Sequence, residues 1–170
     1  MLHEQIIMRA MEAKDILRVA EICTFARRMG FWGILSDNHL FVDSSVPHYV
    51  GYFERTIKHE AWQIFVHEEN GIVVGFMTVS SCDEEKGCLQ IIQFYVEPAL
   101  QGGGIGSRMM RFCKQKATLD GYNKICLWVL EKNAAAIGFY ETKGFNADGA
   151  RRTRKYGDLE AVQMKYTIAV

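Results

Sequence analysis

The residues best suited to chemistry lie between Leu89 and Ser107. There the chain reads Leu-Gln-Ile-Ile-Gln-Phe-Tyr-Val-Glu-Pro-Ala-Leu-Gln-Gly-Gly-Gly-Ile-Gly-Ser. An apolar strand pattern runs into a loop with glycine at 102, 103, 104 and 106, and an amphipathic helix pattern follows at once. Glycines let the main chain approach a ligand closely, at a cost in backbone entropy that a plain turn has no need to meet. A helix start adds N–H groups without intrahelical partners and the positive end of the helix dipole. The arrangement predicts an anion cradle, and therefore a ligand that carries phosphate.

Two common phosphate loops do not fit. A nucleoside-triphosphate loop requires GxxxxGK[ST], and no Lys-Ser or Lys-Thr follows these glycines. A dinucleotide loop requires GxGxxG, and counting from Gly102 the third position is Ser107. An oxidoreductase that binds a dinucleotide is disfavoured on that ground.

The pattern that remains is Gln101-x-x-Gly104-x-Gly106. It resembles the pyrophosphate loop of the GNAT superfamily of acyl-CoA-dependent N-acyltransferases. Downstream, Ile125 to Phe145 contains a strand pattern, then Asn133, an Ala-rich helix carrying Phe139-Tyr140, and Gly144-Phe145. This resembles the second signature of the same family, in the same order and at a matching separation. Together with Ile7-Met-Arg-Ala and a helix starting near Asp15, the resemblance extends over nearly all 170 residues. The chain is identified as a member of that superfamily on these motifs.

The resemblance implies acetyl-CoA as cofactor. The backbone of Gln101, Gly102, Gly103, Gly104, Ile105, Gly106 and Ser107 would hold its pyrophosphate. The main chain of Phe94, Tyr95 and Val96 would pair with the pantetheine arm, and a main-chain N–H near Val96 would stabilise the oxyanion. Asn133 would hydrogen-bond the cofactor while capping its helix. Tyr140 would protonate the departing thiolate. A phenol of pKa ~10 can donate to a thiolate of pKa ~8.5 and remain neutral itself. Transfer would be direct, with no acylated cysteine.

The general base stays open. An alkyl ammonium of pKa ~10.4 must lose a proton before it attacks. Some relatives place a carboxylate where Trp128 stands, and others place a Glu where the central strand here has Gln90. Glu97 is one candidate; a water chain or a residue of the Gly30–Glu60 segment is another. That segment is expected to shape the acceptor site through Trp32, His39, His48, Tyr49, Tyr52, His59 and Trp62, although aromatics at helical spacing usually pack in a core. The expected acceptor is a small-molecule primary amine. A protein N-terminus or lysine is the alternative, and a non-catalytic acyl-CoA-binding sensor is a further one. Relatives commonly have Arg or Lys at Gly102 and Gly103, so cationic help would come from elsewhere, with Arg108 and Lys143 as candidates.

The remaining composition sets limits. Formal net charge is zero, which points to neither nucleic acid nor an anionic membrane as a partner. No apolar run approaches 18 residues, and a single cytoplasmic domain over 1–170 is expected. A homodimer is allowed. The cysteines at 23, 82, 88, 113 and 126 are odd in number and lack a CxxC, so they read as buried thiols with no metal site.

These motifs need elements to hold them. The pattern predicts strands at Ile6–Ala10, Trp62–Glu68, Ile72–Ser80, Cys88–Val96 and Asn123–Leu130, plus two near the C-terminus. Helices are expected at Asp15–Arg28, near Val46–Lys58, after the glycine loop, and from Ala134 to Lys143. Asn70-Gly71 signals a type I′ hairpin, and Arg151–Lys155 reads as a basic turn between the last two strands. Hairpins first and strand–helix units later imply an α/β protein. The family fold is a mixed, mostly antiparallel twisted sheet of about seven strands flanked by about four helices.

Overall fold

In the computed structural model, residues 6–170 are described. The chain forms β1 (Ile6–Ala10), α1 (Ile16–Phe31), α2 (Val46–Thr56), β2 (Trp62–Glu69), β3 (Ile72–Ser81) and β4 (Cys88–Val96). It continues through α3 (Ile105–Leu119), β5 (Lys124–Leu130), α4 (Ala134–Thr142), β6 (Asn146–Tyr156) and β7 (Leu159–Ala169). The strands make one sheet in the order β1-β2-β3-β4-β5-β7-β6. Only β4 and β5 are parallel; the other neighbouring pairs run antiparallel.

The hairpin between β2 and β3 turns at Asn70 (φ 52°) and Gly71 (φ 81°), both left-handed as a type I′ turn requires. α4 ends as its sequence implies. Gly144 adopts φ 88°, its N–H donates to Glu141 O, and Phe145 N–H donates to Tyr140 O. Phe145 then packs back into the core, nearly inaccessible to solvent.

Helices cover both faces of the sheet, so the interior strand β3 is buried on both and reads as a nearly continuous apolar run. On one face α3 brings Met109, Met110 and Cys113 against Met77, Ile91 and Leu127. On the other, α1 and α2 bring Val19, Ile22 and Phe53 against Val66 and Phe76. The alternation of β2 serves both layers: Ile64 and Val66 face α1 and α2, while Phe65 meets Phe112 of α3.

One expectation changes. Arg151–Lys155 is not a turn but lies inside β6, paired with β7 from Arg151↔Met164 to Lys155↔Glu160. The turn falls at Gly157 (φ 58°). Five mostly charged residues can form a strand here because β6 is the sheet edge, where an exposed charged ladder is tolerated. Arg152, Arg154 and Tyr156 consequently share one face of the strand.

All five cysteines are free and buried. Three of them, Cys82, Cys88 and Cys126, bring their sulfur atoms within 4.8 Å of one another, a convergence that sequence spacing did not reveal. Among the described residues no helix is long and apolar enough to cross a membrane.

Candidate functional site

The site originates where two strands part. β4 and β5 pair in parallel only from Cys88↔Lys124 to Ile91↔Leu127. On its other side β4 continues along β3 to Val96, with a register shift between Thr78 and Val79 that leaves Ile92 as an extra residue. Such a bulge bends the strand that carries it. Beyond it, the edge of β4 from Gln93 to Val96 has lost its β5 partner. Glu97 N–H donates to Val74 O at 2.8 Å, on the β3 side. Since successive strand N–H groups alternate in direction, Val96 N–H points into the opening instead.

A cleft of about 410 Å³ fills this opening. One wall is Phe94, Tyr95 and Val96 of β4. The floor is the glycine loop and first turn of α3, with Gln101, Gly102, Gly104, Ile105, Gly106 and Ser107 all lining it. The far wall belongs to Asn133, Ala136, Phe139 and Tyr140. Of the residues expected to bind cofactor, only Gly103 lies outside the lining.

The loop is built to present its backbone. Gly102 and Gly104 have φ of 83° and 81°, a conformation that side-chain-bearing residues rarely adopt. Gly104 is the N-terminal cap of α3, and no side chain caps that helix. Its first N–H groups are therefore available to an anion in the cleft. Gln101 Nε2 reaches Val96 O at 3.5 Å and ties the loop to the strand. The cations suggested for the phosphates sit differently. Arg108 is held by Glu69 at 2.5 Å and donates to Gly103 O at 3.4 Å, which braces the loop from behind. Lys143 Nζ lies 5.4 Å from the centre of the Phe139 ring.

Asn133 accepts a hydrogen bond from Ala136 N–H at 3.1 Å and caps α4. Tyr140 is half-buried among Phe94, Phe139 and Phe145, with ring centroids 5.4–6.4 Å away. Its hydroxyl makes no hydrogen bond among the described residues. Burial, more than the neighbouring Tyr95 and Cys113, pushes its phenol pKa well above the usual value. The group remains protonated through the physiological range and keeps its proton to donate.

Glu97 is placed elsewhere. It does not line the cleft, and its carboxylate accepts from Arg18 Nη2 at 2.6 Å. Gln90 pairs with Cys126 in the closed part of the sheet. The ring of Trp128 carries the Arg152 guanidinium at 4.2 Å. Among the aromatic candidates, Tyr49 is buried beside Phe53. Tyr52, His59 and Trp62 form their own cluster, and Trp32 is 72% exposed. His39 and Tyr49 both reach the neighbourhood of Tyr95 through Arg27, which stands 3.3 Å from Tyr95 Oη, 3.5 Å from His39 Nε2 and 5.8 Å from the centre of the Tyr49 ring. Arg27 escaped the sequence reading. The signal available was that no acidic residue stands three or four places from it on the helix.

Comparison with known proteins agrees with this geometry. The model of the acetyltransferase (GNAT) family matches residues 20–145. A probable N-acetyltransferase of Mycobacterium tuberculosis is 29% identical over 168 residues, covering 94% of this chain and 89% of that one. The crystal structure of PaiA N-acetyltransferase from Thermoplasma acidophilum, in complex with coenzyme A, superposes with a TM-score of 0.75 at 15% identity. It covers 95% of this chain and 98% of that one. Spermidine N-acetyltransferase from Vibrio cholerae, in complex with CoA and spermine, gives 0.72 at 20% identity, over 97% and 95%.

Proposed function

The chain belongs to the acetyltransferase (GNAT) family, and from that premise we propose that it acetylates the primary amine of a small molecule by direct attack within a ternary complex. The observation that carries this reading is the parting of β4 from β5 beside an uncapped helix N-terminus, with Tyr140 on the facing wall.

The cleft fits the cofactor. Left-handed glycines bring the backbone forward, and a Cβ on Gly106 would meet the Phe139 ring at 3.2 Å. Acetyl-CoA, when bound, supplies an acetyl thioester at the parted strands. The N–H groups between Gly102 and Ser107 hold its pyrophosphate, and the free edge of β4 receives the pantetheine amides as a neighbouring strand would. Val96 N–H donates to the thioester oxygen as charge develops there. The amine forms its N–C bond and releases a proton to water as the C–S bond breaks. Tyr140 gives its proton to the leaving sulfur and recovers one from the water that took the amine's proton, so no net proton is lost or gained. Glu97 is engaged by Arg18 and outside the cleft, so it has no place in this scheme as base. Comparison with the spermidine acetyltransferase structure is compatible with a small amine acceptor.

Thiol release from acetyl-CoA across a broad amine panel tests the proposal, with calorimetric binding of acetyl-CoA alongside. Release that depends on an amine supports it. Tight binding without release for any amine overturns the catalytic part, and no binding overturns all of it.

A further inference from the structure

Next to Tyr95, on the side away from the glycine loop, guanidinium groups gather without carboxylates to balance them. Arg27 of α1 donates from Nη1 to Tyr95 Oη and lies over the Phe31 and Tyr49 rings, at 5.0 and 5.8 Å from their centres. Its Nε is sealed from solvent with no hydrogen-bond partner, and so is Nδ1 of the adjacent His39. Arg27 itself does not line the cofactor cleft; it reaches the cleft wall only through the Tyr95 hydroxyl.

The cationic surface continues onto β6. The His39 ring meets Tyr156 edge-on at 5.8 Å, and the Arg154 guanidinium lies 5.7 Å from the same tyrosine ring. Tyr156 Oη accepts from Gln163 Nε2 at 2.8 Å, and Gln163 Oε1 accepts from Arg152 Nε at 2.7 Å. Arg152 rests on Trp128 of β5, just past the point where β5 leaves β4. Arg27, Arg152 and Arg154 thus surround the open end of the parted strands.

Nearby carboxylates do not answer them. Glu97 is taken by Arg18 and Glu131 by Arg151. Asp43 is 47% exposed and stands 3.7 Å from His39. Glu84 acts on Arg152 only as a weaker, longer-range charge. Among the described residues none of the three arginines forms an ion pair. A guanidinium cannot shed its charge, and aromatic faces offset only part of the cost of burying it. A carboxylate offers two acceptor oxygens matched to the guanidinium fork. A polyamine would instead bring further positive charge against three arginines.

Resting on the acetyltransferase reading above, we propose that the acceptor is an amino acid: its carboxylate is held by Arg27, with Arg152 and Arg154 reinforcing the field, while its amine reaches the parted strands. His39, whose Nε2 stands 3.5 Å from Arg27, adds no charge to this cluster, since burial and then the Arg27 charge hold its pKa below the ordinary value.

The test compares the free amino acids with their amides, their decarboxylated amines and spermidine, using thiol release by the wild-type chain and by Arg27→Met and Arg27→Lys. The acids should be preferred over their amides by about 100-fold in kcat/KM, the scale set by leaving a buried charge unpaired. Arg27→Met should erase that preference mainly through KM, with Arg27→Lys restoring part of it. Calorimetry with N-acetylated amino acids and the CoA-loaded protein probes the carboxylate site without turnover. Arg154→Gln, at an exposed strand position, serves as a second variant if Arg27→Met does not fold, and should weaken that binding several-fold. Equal use of amides or spermidine, or no binding of any N-acetylated amino acid, overturns the proposal. Acetyl-CoA binding reports separately on the transferase reading, so turnover without a carboxylate preference would overturn the acceptor class alone.

Discussion

Gly106 in the first turn of α3 and Phe139 in α4 stand so close that a Cβ on the glycine would lie 3.2 Å from two carbons of the ring. The contact joins the two helices that flank the cleft. It also brings Phe139 against Phe94 of β4, with ring centroids 5.7 Å apart. The start of α3 is thereby fixed against the strand edge that it must face across a ligand.

Gly106 lines the cleft itself, and Gly106→Ala should act there through its contact with Phe139. The added methyl forces Phe139 or the helix start to shift, at a cost of about 1–3 kcal/mol. Acetyl-CoA binding should weaken by about tenfold, because the N–H groups lose their placement. Thermal melts and calorimetry on the same preparation separate the two effects. Unchanged affinity would mean that the helix start does not hold the cofactor.

Tyr140→Phe removes a hydroxyl that makes no hydrogen bond within the described chain, so stability should hardly change. If Tyr140 is the acid, kcat should fall by roughly 100- to 1000-fold. Acetyl-CoA affinity should stay within about threefold, since the cradle is untouched. A variant with near wild-type kcat would remove Tyr140 from the mechanism and leave it as a wall of the cleft.

The pH profile follows from the same residue. An acid must be protonated to act, and burial raises the Tyr140 pKa. The rate should rise with pH as the free amine accumulates, and should not fall again up to about pH 10, the unperturbed phenol value. A descending limb near pH 8 or 9, absent in Tyr140→Phe, would contradict the raised pKa.

Much of this was legible in the sequence because it is local. The glycine loop, the Asn133 cap, the Gly144 helix stop and the Asn70-Gly71 turn each depend on a few adjacent residues, and their positions came out close to the observed ones. The strand parting was not legible, since it depends on a bulge at Ile92 and on where β5 stops pairing. The same holds for Arg152 and Arg154. A run of charge suggested a turn, and only the edge position of β6 explains why it is a strand. Arg27 could be seen to lack a helical ion-pair partner, but its neighbours Tyr95 and His39 are 68 and 12 positions away. The convergence of Cys82, Cys88 and Cys126 required the β3–β4–β5 register for the same reason.

The thiols divide by environment. Cys23 and Cys113 sit at the centres of the two helical layers, and burial pushes both up to about 12. The thiolate is the reactive form, so neither should react with a disulfide reagent or iodoacetamide at pH 8 in the folded protein. Mass spectrometry of peptides after brief labelling should find both unmodified, and both should label fully in denaturant. Rapid native labelling of Cys23 would show that α1 opens from the sheet.

The junction of β1 with α1 should make stability depend on acid pH. Asp15 is 5% exposed and binds Arg9 through two contacts, at 2.6 and 2.9 Å, while also accepting Glu12 N–H at 2.8 Å. The Arg9 hydrogen bond is the largest influence and lowers the Asp15 pKa; burial opposes it, and the Glu12 N–H assists. With the folded pKa below the unfolded value of ~3.9, the unfolded state binds more protons as acid is added. The stabilisation is present in full well above ~pH 4 and is lost as pH falls through the folded value. Asp15→Asn should consequently cost about 2–4 kcal/mol at pH 7, because it strips a buried partner from Arg9. The difference from wild type should narrow steadily between pH 5 and the acid limit of folding. Urea unfolding at several pH values measures it directly, and a pH-independent difference would mean that the residue acts through packing or capping rather than through its charge.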